Sequence, residues 1–111
     1  MRRNRGDIWF VDLSDARGHE QSGLRPAVVL AVAFGNMAIV VPLTTTPAAF
    51  SFPHTHGIEK SSQNGLTSTS AALVFQIVTL SEDRFVRKIG RCSVEDMEAI
   101  SVLLKGLLSL E

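Results

Sequence analysis

The chain has few of the residues that staple, break or mark a fold from outside. Cys92 is the only cysteine, so no disulfide can close within the chain. That usage fits a reducing compartment such as the cytoplasm. There is no tyrosine and one tryptophan. Lys+Arg and Asp+Glu balance at 11 each, so bulk charge gives no argument for a nucleic-acid partner. No apolar run is long enough to cross a bilayer. The basic start, Arg2, Arg3 and Arg5, is cut by Gly6-Asp7 before any apolar stretch, which does not read as a signal peptide. Charge is also missing locally, with no Asp, Glu, Lys or Arg from Pro26 to Ile58.

What is present is the material of one small globular unit. Its 111 residues, 45% of them hydrophobic, predict one domain over 1–111 with a single core. Residues 8–13 read as a first strand, followed by a polar loop over 14–25. Two apolar runs, 27–34 and 37–43, flank Gly35-Asn36 and read as a hairpin. Pro42 is expected to end or edge the second of them. Residues 44–50 read as a threonine-rich loop, 51–58 as a strand weakened by Pro53, 71–80 as one long or two short strands, and 85–91 as a strand. The period then changes. Ser93 is an N-cap with Asp96 as its capping-box partner. Met97, Ile100, Leu104 and Leu107 follow as one helical stripe. The expected fold is mostly β, five to seven short strands, with an amphipathic C-terminal helix.

Gly18-His19-Glu20-Gln21-Ser22-Gly23-Leu24-Arg25-Pro26 is the most informative segment. Arg25 is the last charge before a buried strand, and a guanidinium fixed at a core's edge is a ready anion-binding group. Glu20 stands five residues before it on a glycine-flanked loop. A carboxylate and a guanidinium so placed suggest chemistry on a phosphate ester. Read without any relative, Arg25 is first a cap on a strand edge through a carbonyl, and Thr44-Thr45-Thr46 is ordinary turn chemistry at a strand end. Gln76 and Ser70 suit either a structural role or contact with a base. His54 and His56, without carboxylate or thiol partners, read as loop or surface residues rather than a metal site. Trp9 reads as core or dimer packing. Residues 84–91 carry Arg84, Arg87, Lys88 and Arg91 with no acid, a locally basic stretch.

The order Arg5-Gly6-Asp7-Ile8-Trp9-Phe10-Val11-Asp12, then Gly18-His19-Glu20-Gln21-x-Gly23-x-Arg25-Pro26-Ala27-Val28-Val29-Leu30, resembles the MazF/PemK (Kid) toxin endoribonucleases. Val40-Val41-Pro42-Leu43-Thr44 resembles that family's third-strand signature. Gly65-Leu66, Ser70, Gln76, Thr79 and Lys88-Ile89-Gly90 match later blocks, so the likeness covers nearly the whole chain.

The resemblance implies a small SH3-like barrel, shared with the gyrase poison CcdB, in a homodimer. It also implies a cognate antitoxin and metal-free, cofactor-free cleavage of single-stranded RNA at short sequences. Under it the catalytic residues are Arg25, Thr44 and Glu20. Arg17, His19, Gln21, Thr45, Ser70, Gln76, Arg84 and Arg87 are candidates for binding RNA. Two other readings share the fold, a gyrase-directed toxin and a catalytically degenerate, antitoxin-binding homologue. There is also a departure. Some relatives carry an acid just before the Gln76 position and an arginine two residues after it, where this chain has Phe75 and Val78.

Overall fold

The protein is described here from a computed structural model, which defines residues 2–14 and 23–110. Among the described residues, seven antiparallel strands and one α-helix make up the architecture. The strands are β1 (Asp7–Asp12), β2 (Leu24–Ala33), β3 (Met37–Thr44), β4 (Thr55–Ile58), β5 (Ser70–Leu73), β6 (Val78–Ser81) and β7 (Phe85–Arg91), and helix α1 is Val94–Leu107. The main path through the sheet runs β4-β5-β3-β2-β1-β7, with β6 also paired to β3. Ile58 on β4 and Ile8 on β1 share one apolar core, although β5, β3 and β2 lie between them in the sheet. The sheet therefore curls round its contents as a barrel does, while β4 and β7 remain unjoined. Among the described residues, no helix is long and apolar enough to cross a membrane.

The β2–β3 hairpin forms where Gly35-Asn36 signals it. Both residues take positive φ, 74° and 60°, the backbone that a tight hairpin turn requires. Pro42 lies inside β3, not at its end or on an edge strand as its residue type suggests. The reason is a change of partner. β3 pairs with β6 from Met37 to Val40 and with β5 at Leu43 and Thr44. Pro42, which has no N–H to give, falls between the two ladders. Residues 47–51 form a 3-10 turn rather than a plain loop, so the strand expected over 51–58 is confined to Thr55–Ile58. The 71–80 run divides into β5 and β6 across a 3-10 turn at 74–76.

The sheet has apolar matter on both faces. One cluster joins Ile8, Val28, Val41, Leu43, Ile58, Val74 and Ile100 under α1. The other joins Trp9, Val11, Leu13, Ala27, Val29, Val40 and Leu80. Trp9 meets Phe85 edge to face at 5.8 Å and is a core residue. Ser93 caps α1 by accepting the Asp96 N–H at 3.0 Å. The Asp96 carboxylate does not complete a capping box. It reaches His56 Nε2 at 2.8 Å, so His56 is a half-buried tie between β4 and α1 and not a loop residue. His54 does lie in the preceding loop.

β7 is locked by a close approach of two backbones. A Cβ on Gly90 would stand 2.4 Å from the Asn64 carbonyl carbon, and one on Gly65 would stand 2.0 Å from the Ile89 oxygen. Asn64 holds that turn by accepting the Ser61 and Leu66 N–H groups and donating to Glu59 O. Gly90→Ala should therefore cost at least ~2 kcal/mol of unfolding free energy, because backbone and not a flexible side chain must move. Gly106, on α1 with open space around it, should behave oppositely. Gly106→Ala is expected to add about 0.5–1 kcal/mol. Urea unfolding of both variants checks the pair, and equal shifts would contradict the interlock.

Candidate active site

Arg25 and Thr44 come together at the open end of the β2–β3 pair. Arg25 sits near the start of β2 and Thr44 ends β3. Carried straight from the turn, the Ala33–Met37 register would set Arg25 opposite Thr45. The ladder instead shifts by one residue between Val29 and Ala31. Below that bulge Ala27 faces Pro42, and the same register continued brings Arg25 to Thr44. Two contacts hold the bulge. Gly6 N–H donates to Val29 O at 2.8 Å, and Arg5 Nη1 donates to Leu30 O at 2.9 Å. The other arm of Arg5 reaches Ser101 Oγ on α1 at 2.8 Å.

The resulting contact is Arg25 Nη1 to Thr44 Oγ1, long at 3.5 Å. Thr44 Oγ1 also accepts the Thr46 N–H at 3.2 Å and lies 3.1 Å from Thr46 Oγ1. Thr44 is only 3% exposed and Arg25 is half-buried, whereas Thr45 and Thr46 are exposed. A guanidinium and a hydroxyl fixed side by side at a surface edge offer several N–H and O–H donors to one anionic group. Opposite Thr44, on β5, stands Ala71, next to Ser70. Ser70 is buried, and its hydroxyl donates to Ser68 O at 3.0 Å.

The other candidates are dispersed. Gln76 is half-buried in the 3-10 turn after β5. Arg84 donates to Asp12 O at 3.1 Å. Arg87, exposed on the edge strand β7, lies over the Phe10 ring at 4.9 Å. Glu20, Arg17, His19 and Gln21 lie outside the described residues. Phe75 is exposed and meets Phe52 edge to face, while Val78 packs against the Trp9 cluster. Lys88 and Arg91 of the basic stretch turn to the fully buried Asp7, at 3.4 and 2.6 Å. Their charge serves the β1–β7 contact, a role that the sequence pattern did not signal. Among the described residues, no three His, Cys, Asp or Glu side chains gather as a metal site.

A family profile described as PemK-like, MazF-like toxin of type II toxin-antitoxin system matches residues 4–108. Among curated proteins, the chain is similar to Endoribonuclease EndoA of Bacillus subtilis, at 34% identity over 96% of this chain and 94% of that protein. It is similar to Endoribonuclease MazF of Staphylococcus saprophyticus, at 34% identity over 87% and 83%. Among solved structures, MazF of Deinococcus radiodurans superposes with a TM-score of 0.82 at 19% identity, covering 97% of both chains. A mycobacterial endoribonuclease in complex with its cognate antitoxin gives 0.77 at 23% identity, covering 99% and 98%. Those two likenesses speak to the fold.

Cys92 stands apart from the Arg25–Thr44 pair as a second candidate for reactivity. Burial, then the Asp96 carboxylate, raise its pKa from 9.0 to about 12, against a smaller lowering by Arg91. The folded protein therefore keeps a neutral thiol where the unfolded chain holds a thiolate. The unfolded state binds fewer protons between those two values, so stability falls as pH rises through 9 towards 12. Thiolate chemistry at neutral pH is correspondingly suppressed. Cys92→Ala should lose this alkaline decline relative to wild type in urea titrations at pH 7 and pH 10. Iodoacetamide should label the native thiol far more slowly than the unfolded one at pH 8.

Proposed function

The chain belongs to the PemK-like, MazF-like toxins of type II toxin–antitoxin systems, and on that premise we propose that it is an endoribonuclease that cuts single-stranded RNA without a metal ion. The observation that carries the assignment of residues is the meeting of Arg25 with Thr44 at the exposed end of the β2–β3 pair. Curated relatives at about 34% identity, named endoribonucleases, support the activity.

The chemistry follows from the donors. In RNA the adjacent 2′-hydroxyl attacks phosphorus, and negative charge grows on the non-bridging oxygens. Arg25 engages two of those oxygens at once and gains most when their charge peaks. Thr44 adds a hydroxyl donor beside it. Glu20, five residues before Arg25 in sequence, takes the proton from the 2′-hydroxyl as general base. The departing 5′-oxygen takes up a proton, leaving a 2′,3′-cyclic phosphate. Arg17, His19, Gln21, Thr45, Ser70, Gln76, Arg84 and Arg87 contribute to holding the strand, the arginines through phosphate contacts. The site works in a cytoplasmic homodimer, and a cognate antitoxin silences it by covering the Arg25–Thr44 end where RNA would bind. An antitoxin complex of a mycobacterial fold neighbour supports that partner.

Purified protein in EDTA should cleave defined single-stranded RNAs, and a 2′-deoxy substitution at the cut site should block the reaction. Arg25→Ala should lower cleavage by at least ~100-fold, the scale of removing one donor from a charge-stabilising site. Circular dichroism confirms the variant's fold. A folded Arg25→Ala protein that cleaves as wild type overturns the assignment.

A further inference from the structure

We propose that Thr46 is a positioning residue for the Thr44 hydroxyl, holding it on the Arg25 guanidinium and setting where its proton points. This rests on the reading of Arg25 and Thr44 as the reacting pair. Thr46 is not among the residues that the chain's motifs single out, and its placement is unusual for its local structure. It occupies the N-cap position of the 3-10 turn Pro47–Ser51. A threonine there ordinarily turns its hydroxyl back to accept a free N–H of the turn. Thr46 makes no such side-chain cap. Its carbonyl accepts Ala49 N–H at 3.1 Å, which anchors its backbone to the turn. Its N–H and its hydroxyl are both directed at one atom, Thr44 Oγ1, at 3.2 and 3.1 Å.

The consequence is a matter of counting. A hydroxyl oxygen has two lone pairs and one proton. The lone pairs of Thr44 Oγ1 receive Thr46 N–H and Arg25 Nη1. Its proton is left with one described acceptor, Thr46 Oγ1. Thr46 thus fixes the Thr44 rotamer from one side while Arg25 fixes it from the other. Thr44 is buried, whereas Thr46 is an exposed residue. An arriving phosphate oxygen takes the Thr44 proton by displacing only this one acceptor. As Arg25 turns to the phosphate, the Thr46 hydroxyl reverses and donates to the Thr44 lone pair that Arg25 releases, so the Thr46 hydroxyl and N–H together keep Thr44 in place.

Thr46→Val keeps shape and N–H and removes only the hydroxyl; Thr46→Ser restores it. In RNA cleavage, Thr46→Val should lower kcat about five- to tenfold, the worth of one hydrogen bond, with KM within about twofold of wild type. Thr46→Ser should recover most of the loss. A second readout needs no cleavage. Three-bond couplings to the Thr44 γ-methyl should report one rotamer in wild type and averaging in Thr46→Val. An unchanged kcat, a loss confined to KM, or a single Thr44 rotamer in Thr46→Val overturns the proposal. Wild-type protein that cleaves no RNA defeats the nuclease reading instead, and the couplings still decide whether Thr46 holds Thr44.

Discussion

The register of β2 against β3 is the constraint from which the site follows. Arg25 and Thr44 are 19 residues apart and have no local reason to meet. They meet because a turn with two left-handed residues starts the ladder and a one-residue shift between Val29 and Ala31 finishes it. A slip of one residue turns every side chain of a strand to the other face. Here the shift moves the residue opposite Arg25 from exposed Thr45 to buried Thr44. The bulge works as a selector, and its two carbonyls at Val29 and Leu30 are the ones that Gly6 and Arg5 grip. Through Ser101, the same arginine ties this choice to α1.

The rest of the fold keeps that end of the sheet from drifting. β1 carries the grip residues' neighbour Asp7, fully buried and paired with Arg91 and Lys88 of β7. A buried carboxylate left without either cation would be costly, so the two partners hold β1 to β7 in this arrangement. The close approach of Gly65 to Ile89 and of Gly90 to Asn64 sets the distance of the 61–66 turn from β7. His56 and Asp96 join β4 to the first turn of α1. Each contact is local, but together they fasten β1 and β7, α1 and β4 round the β2–β3 pair.

Much of this was legible in the residues, and the gaps have physical causes. Gly35-Asn36 announced the hairpin because few other pairs accept positive φ. The Met97-Ile100-Leu104-Leu107 spacing announced α1 because a helix needs one buried face. Arg25 stood out as the last charge before an apolar run. The bulge left no trace, because Ala27-Val28-Val29-Leu30-Ala31-Val32 is uniformly apolar and alternation cannot reveal a skipped step. Pro42 misled because its effect depends on which strand lies beside it. His56 and Asp96 misled in the same way, 40 positions apart and joined only by tertiary packing. Thr44 stood out from Thr45 and Thr46 only through family resemblance, since burial and not residue type separates the three.

The departure at Phe75 and Val78 bears on what this chain can share with its relatives. Val78 faces Val40 across the β6–β3 ladder and packs on the Trp9 cluster. A charged side chain at that position would have to leave the cluster or be buried at high cost. Phe75 is already engaged with Phe52. The polar pair that some relatives carry is thus replaced by packing, not by another polar pair. On the proposed reading, stabilising a developing phosphorane asks for donors at the phosphate, the part given to Arg25 and Thr44, and neither of those two positions is needed for it. Choosing a sequence asks for contacts to bases, and at the position where some relatives carry an acid this chain has an exposed aromatic ring. On the proposed reading, reaction chemistry falls at the β2–β3 end, and Phe75, in the turn between β5 and β6, is the place for contact with bases.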